Sequence, residues 1–448
     1  MPINITDGGV FTPFPALFNF INGTSQDTDA NFLSHPPVNQ RFENEMGIEG
    51  MRVTDVGDSL QGPVSYIGHE YSRVSVFSAA DVNGNSARFL AWATNGFWYA
   101  YDVNIVAGEV TTVTFSHQVN PLFAIEEPHW HPTDPDRFYF QPKFGYLSFN
   151  QYEWDCVNEV ATLYNDWTAV VQAADPAFAA ATGMWMDAEG TLSDNGKYGC
   201  YMIHNGLTYL GLACLDIELK TVVGVYIGGG TPNHSSMSKD GTYCVPSWYQ
   251  TGGPDSNGGA YAMSRDFSTW LRLSVLDGEH ACNCTGADGV QYHVSIEFWS
   301  GSNIPAYADR GSVYVTNMDT QEVTFLYSTT NLDVSDGGGG MGVHFCGEAS
   351  DIPGWILVSH YAIDNKDGMY LVNIHNPNPA GQQTTMYKVG SAHTIGPITD
   401  LIQPHGVLNP GGNQLLVTSN ADNTDGGGTS GAVDYMYHLP IDSLPAAQ

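Results

Sequence analysis

One unit recurs along this chain and constrains its fold more than any other feature. It is a polar turn carrying glycine, an apolar strand, and a second strand that ends near Asp or Asn. The first copy places Ser78 to Gly84 before the strands Arg88 to Trp92 and Phe97 to Asp102. The second is Pro132 to Asp136 followed by Arg137 to Phe140, and the third is Leu192 to Gly196 followed by Lys197 to Tyr201 and Leu210 to Asp216. The fourth is Met237 to Gly241 with Thr242 to Val245. The fifth is degenerate and runs from His293 through Ser312 to Asn317. The sixth is Pro353-Gly354 with Trp355 to Ser359 and Met369 to Asn373; the last is Asn409 to Gly412 with Gln414 to Thr418 and Tyr435 to Leu439.

Copies spaced roughly 45–60 residues apart are the signature of four-stranded blades, each of which needs neighbours to bury both faces. The expectation is an all-β chain: a seven-bladed β-propeller of four-stranded antiparallel blades spanning residues 52–448 as one domain. A parallel β-helix and a pair of β-sandwiches fit the repeat less well. Composition agrees, with 50 Gly, 24 Pro and many aromatic or β-branched clusters suited to turns and strands. The best helical stretch is Ala-rich, from Thr168 to Thr182. Residues 1–51 precede the first copy and break its rhythm. They read as an irregular, Asn- and Pro-rich N-terminal arm suited to attachment.

Aligning the copies on the glycine turn exposes a second regularity. His405 precedes its turn glycine by the same offset as His234 and Glu189 precede theirs, while His293 and His344 open the fifth and sixth copies and His129 and His131 the second. In a propeller that position falls near the start of the innermost strand, so equivalent residues of successive blades ring one mouth of the channel. A ring of neutral imidazoles with a carboxylate is what a divalent metal needs. The bland alternative is that each His is a hydrogen-bonded core residue. Gln403, two before His405, shares its strand face and offers an oxygen.

The segments Glu127-Pro-His-Trp-His-Pro-Thr-Asp-Pro-Asp136, Val343-His344, Pro353 to Ser359 and Gln403-Pro-His405 resemble those of seven-bladed propeller polysaccharide lyases. The oligogalacturonate-lyase type is the nearest in pattern, with ulvan-lyase-like architecture related. The likeness in blade rhythm runs from about Gly68 to Leu439, and only these short stretches are specific. What the resemblance implies is a divalent metal (Mn, Ca or Zn) held by His344, His405 and Gln403, completed by His293 or His234. It also implies cleavage of uronate-containing glycans by β-elimination. That reaction needs the uronate carboxylate neutralised and a base near neutrality, roles for which Arg73, His129 and His131 are candidates. The family's His-x-His after the Gln is absent here, where Gly406-Val407 follows His405.

Charge narrows the partners. With 14 Lys+Arg against 47 Asp+Glu the net charge is −33. That is too little positive charge to release counterions from a phosphate backbone, which argues against nucleic acid and against anionic membranes. The same charge repels polyuronate at long range, so a local basic or metal-bearing mouth is required. No run of 18 apolar residues occurs, so no transmembrane helix is expected, and Met1 to Phe20 lacks the pattern of a signal peptide. The expected setting is extracellular, or on a surface or virion. The leading reading is a carbohydrate-active propeller acting on an acidic polysaccharide. The alternative is a non-catalytic glycan-binding or structural propeller, such as a virion decoration or receptor-binding protein, joined to a larger assembly through the arm. His280, Cys282 and Cys284 form a tight His-x-Cys-x-Cys cluster, readable as a zinc site or, more simply, as buried thiols.

Overall fold

The computed structural model describes residues 37–444 apart from loop segments, the longest being 80–85, 275–279, 297–310, 329–341, 362–367, 376–385, 391–404 and 420–431. Among the described residues α-helix is confined to Thr168–Ala174, followed by a 3-10 turn at Pro176–Phe178, within the Ala-rich stretch. No helix among them is long and apolar enough to cross a membrane. The rest of the regular structure is almost all strand, laid out as five four-stranded antiparallel sheets and one nine-stranded sheet in which a parallel pairing joins two further blades, an arrangement of the β-propeller class.

The chain divides into two compact units, residues 120–325 and the flanking segments up to 119 and from 326. The first unit carries blade 2 (Ala124–Trp130, Arg137–Lys143, Asn150–Asp155, Val160–Asp166) and blade 3 (Gly183–Trp185, Tyr198–Asn205, Thr208–Asp216, Thr221–Tyr226). It continues with blade 4 (His234–Met237, Tyr243–Trp248, Gly259–Ser264, Trp270–Arg272) and blade 5 (Ala281–Thr285, Gln291–Ile296, Ser312–Asn317, and Val323–Ser328, which runs past the boundary at residue 325). Period-two alternation sets the packing. On blade 3, Tyr201, Ile203, Ala213 and Leu215 join one core cluster with Phe149 and Trp167, while Cys200, Met202, Leu212 and Cys214 join another with Met237, Cys244 and Trp248.

The second unit holds blade 6 (Gly342–Cys346, Trp355–Tyr361, Gly368–Asn373, Met386–Gly390) and blade 1 (Tyr66–Gly68, Ser86–Ala93, Trp98–Val106, Glu109–Val119). Blade 7 is assembled from both chain ends. Val407–Leu408, Gln414–Ser419 and Ala432–His438 come from the C-terminal region, and Glu49–Arg52 adds the outer strand in antiparallel register, Met51 opposite Met436. Arg41–Glu43 pairs outside that strand. Residues 41–51, read from sequence as irregular, are therefore strand-bearing, and a boundary at residue 51 falls inside the outer strand. Residues 1–36 lie outside the described residues.

The recurring turn has a common physical basis. In blades 3, 4 and 7 a Ser or Asn opens it (Ser193, Ser238, Asn409), its side chain accepting the backbone N–H five residues on, at 3.0, 2.9 and 2.9 Å. The glycine three residues after that opener has a positive φ, 65° at Gly196, 76° at Gly241 and 72° at Gly412, a conformation that costs glycine nothing. Blade 5 corrects the alignment. Its inner strand is Ala281–Thr285 and its turn Gly286 to Gly289, so His293 stands on the second strand rather than opening the repeat.

A buried clasp joins blade 7 to blade 1. The carboxylate of Asp434 accepts from the His69 backbone N–H at 2.9 Å, pairs with His69 Nδ1 at 2.9 Å, and accepts from Thr418 Oγ1 at 2.7 Å. The Asp434 N–H donates to Thr54 Oγ1, which itself donates to the Ile67 carbonyl. Removing one member leaves buried polar groups without partners, so Asp434→Ala should lower unfolding free energy by about 3 kcal/mol or more, and Thr418→Val by about 1 kcal/mol. Urea unfolding monitored by tryptophan fluorescence checks both. An Asp434→Ala midpoint equal to wild type would show that the clasp does not hold the blades.

Candidate functional site

Two of the expected metal ligands meet in the second unit. His344 lies mid-strand on the inner strand of blade 6, opposite Ser359. His405 stands two residues before the inner strand of blade 7, and Gly406 after it donates its N–H to Ser359 Oγ at 3.1 Å. A Cβ at Gly406 would lie 2.7 Å from that Oγ and 2.8 Å from a Leu357 methyl carbon, so glycine permits the two strands to approach. The Leu408 N–H then reaches Cys346 Sγ at 3.3 Å. Ser359 thus sets both histidines in one register. Their Nε2 atoms are 3.1 Å apart, with rings perpendicular at 89° and centroids 4.1 Å apart. The clasp reaches this pair, because His69 Nε2 meets the backbone carbonyl of His405.

Two imidazole nitrogens at this separation either share a proton or form one edge of a coordination polyhedron. Ligand nitrogens at ordinary metal–nitrogen lengths stand roughly 3 Å apart. The pair therefore fits a divalent cation as two of its ligands. Both residues are well buried, at 2% and 5% exposure. Among the described residues no group of three or more His, Cys, Asp or Glu side chains gathers around one point. Gln403 and Arg73 lie outside the described residues, as does Glu189.

The other candidates sit in the first unit. His234 is the first residue of the inner strand of blade 4, opposite Ser247. His293 holds Asn283 Oδ1 through Nδ1 at 2.9 Å, and Asn283 in turn donates to the Met237 carbonyl, tying blade 5 to blade 4. His129 is the penultimate residue of the inner strand of blade 2, toward the end opposite to that occupied by His234 on its own strand. Burial first, and the Lys239 ammonium second, push its pKa down to about 4. Just before it, Glu127 adopts φ 51° at a break in register and accepts the Met186 N–H at 2.6 Å. His131 uses Nδ1 as an acceptor for the Thr133 and Asp134 amides, at 3.3 and 3.0 Å. This places its ring proton on Nε2. Cys282 and Cys284 are buried thiols on the inner strand of blade 5, and burial pushes the Cys284 thiol up to about 12. That environment holds a thiol, not the thiolate that zinc requires.

Sequence reasoning missed His69 and Asp434, which belong to no repeated motif and stand 365 residues apart. It also missed His204, buried near the end of the second strand of blade 3.

No protein-family model matches this sequence, and no curated protein does. Solved structures do. A structure of an oligogalacturonate lyase in complex with manganese aligns over 90% of this chain and 96% of its own, with a TM-score of 0.56 and 13% identity. A chain of a mitotic checkpoint complex (TM-score 0.45, 10% identity, 91% and 95% covered) and one of Kuenenia stuttgartiensis hydrazine synthase (0.47, 12%, 84% and 98%) also align. At those TM-scores the latter two carry no weight. The first shows a shared propeller fold.

The buried histidines make stability depend on pH. Burial pushes His129 and His204 down to about 4 and His360 to about 3, from 6.5. The unfolded chain takes up these protons from about pH 6.5, whereas the folded chain resists until well below. Acidification therefore favours unfolding, and this stabilisation is full above about 6.5 and lost as pH falls toward 4 and below. The urea midpoint at about pH 5 should lie clearly below that at about pH 7.5; equal midpoints would contradict the neutral, buried state of these rings.

Proposed function

We propose that this chain is a metal-assisted polysaccharide lyase that cleaves uronate-containing glycans by β-elimination. The observation that carries the reading is the His344–His405 pair, with Nε2 atoms 3.1 Å apart, on a propeller fold shared with a lyase solved with manganese. His344 and His405 would hold the cation, with Gln403 as the further ligand that the sequence pattern offers; His234 and His293, also proposed from sequence, do not gather with the pair among the described residues. When bound, a divalent cation neutralises a uronate carboxylate and so acidifies the adjacent C–H.

Charge favours a metal over an arginine for that task. Among the described residues, Arg41, Arg52, Arg88, Arg137, Lys197 and Lys239 are each paired with a carboxylate, in a chain of net charge −33. Arg73 remains the proposed cation for a second carboxylate contact. The sequence pattern offers the two histidines of blade 2 for proton transfer. Burial lowers the His129 pKa to about 4, too low for a base working near neutrality, so of the two the proposal keeps His131 for proton transfer. In the elimination the C–H proton goes to the base, a C=C bond forms, and the glycosidic C–O bond breaks with protonation of the leaving oxygen.

The burial of His344 and His405 favours a second reading, in which the pair is a structural hydrogen bond and the propeller binds glycans without cleaving them. Incubation with polygalacturonate, ulvan and alginate, with manganese, calcium or zinc supplied, separates the two. The lyase reading expects growing ultraviolet absorbance from the unsaturated uronate product. In His405→Ala it expects that rate to fall by about 100-fold or more, with the thermal midpoint retained in large part. Silence with every polymer and metal, together with saturable glycan binding, would establish the second reading instead.

A further inference from the structure

A cluster on blade 3 lies apart from the histidine pair. His204 is 5% exposed, and neither of its ring nitrogens meets a hydrogen-bond partner among the described residues. The Trp185 indole Nε1 and the Tyr209 hydroxyl are in the same condition, sealed from solvent and unpartnered among those residues. Register brings the three together. His204 stands opposite Tyr209, and Trp185 stands opposite Met202, which shares the His204 face of its strand. Ring centroids are 6.3 Å apart for Trp185–His204, at 86°, and 5.8 Å for His204–Tyr209, at 70°.

Buried polar atoms are nearly always hydrogen bonded, so four orphans on three adjoining rings mark a place where something else binds. The chemistry of that occupant can be read from the ring atoms. Burial alone lowers the His204 pKa, to about 4, with no ionised neighbour contributing, and burial first of all raises that of Tyr209. The cluster therefore presents an indole N–H, a phenol O–H and a neutral imidazole: donors and acceptors with no net charge, framed by aromatic surface. A carboxylate or a cation would find no counter-charge there, whereas a hydroxyl-bearing ring satisfies both kinds of atom. Trp185 and Tyr209 are part-exposed, and the hairpin between Asn205 and Thr208 carries Leu207, 95% exposed, so the cluster borders solvent.

We propose that Trp185, His204 and Tyr209 form a subsite for a neutral sugar unit of a glycan, whose hydroxyls supply the missing partners once the two part-exposed rings turn to admit it. The sugar class rests on the glycan reading above; the existence of a neutral polar ligand site rests on the cluster itself.

The test is calorimetric titration of the full chain with neutral hexose and deoxyhexose oligosaccharides, and in parallel with a uronate polymer. Trp185→Phe and Tyr209→Phe delete the N–H and the O–H while keeping a ring in place. The wild type should bind a neutral oligosaccharide saturably, and each variant should bind it about tenfold more weakly. Equal affinity in both variants, with lowered thermal midpoints, would mean that the cluster holds only structural water and would overturn the proposal. A wild type that binds the uronate polymer but ignores every neutral probe overturns the subsite alone. Silence toward both overturns the glycan reading with it.

Discussion

The carboxylate of Asp434 is the contact on which the closure of this chain depends. It is fully buried, as is His69; its partners are His69, just after the first inner strand, and Thr418 of the last blade, while the Asp434 backbone N–H reaches Thr54, after the N-terminal outer strand. Parallel pairing of Ala432 with Tyr66 and of Val433 with Ile67 runs alongside. A charged group this deep is tolerable only when it is fully hydrogen bonded. The arrangement is therefore intolerant of a partial fit, and it fixes how the ends of the chain meet. It also fixes His405, whose carbonyl receives His69 Nε2. The candidate site thus inherits its geometry from the closure.

Much of the fold was legible because its turns are local. Ser193, Ser238 and Asn409 each close their own turn through a side chain, and the glycine that follows is required by its backbone angle. Blade 5 was misaligned for the same physical reason. Gly286 opens its turn without a side-chain acceptor, so the repeat signal vanishes there and the next conspicuous residue, His293, was taken in its place. The outer strand Glu49–Arg52 was illegible because the blade strand it pairs with, Ala432–His438, begins more than 350 residues later. Its sequence, Glu-Gly-Met-Arg, carries little strand character by itself. Of the candidate site, His344 and His405 were readable from their place before the turn. Their convergence through Ser359 and Gly406 was not, because it depends on contact between adjacent blades. The cluster of Trp185, His204 and Tyr209 had no signal at all, since its meaning lies in partners that are missing.

Charge is the reason that the proposed function is placed at the pair of histidines. On the proposed reading, an acidic chain acting on an acidic polymer would have to supply positive charge at one place, and many of the described basic side chains are paired with carboxylates of the protein itself. Neutral imidazoles avoid that competition. They add no charge of their own, and become a cationic site only by taking up a metal, which concentrates charge where it is used.

The central claim is that His344 and His405 together hold a divalent cation, and direct titration with manganese tests it without assuming any substrate. Loss of the free ion's electron paramagnetic resonance signal on adding metal-free protein should show stoichiometric uptake. Uptake should vanish in His344→Ala and in His405→Ala, each confirmed folded by circular dichroism. A wild type that leaves the ion free, or binding that survives both substitutions, would contradict the account.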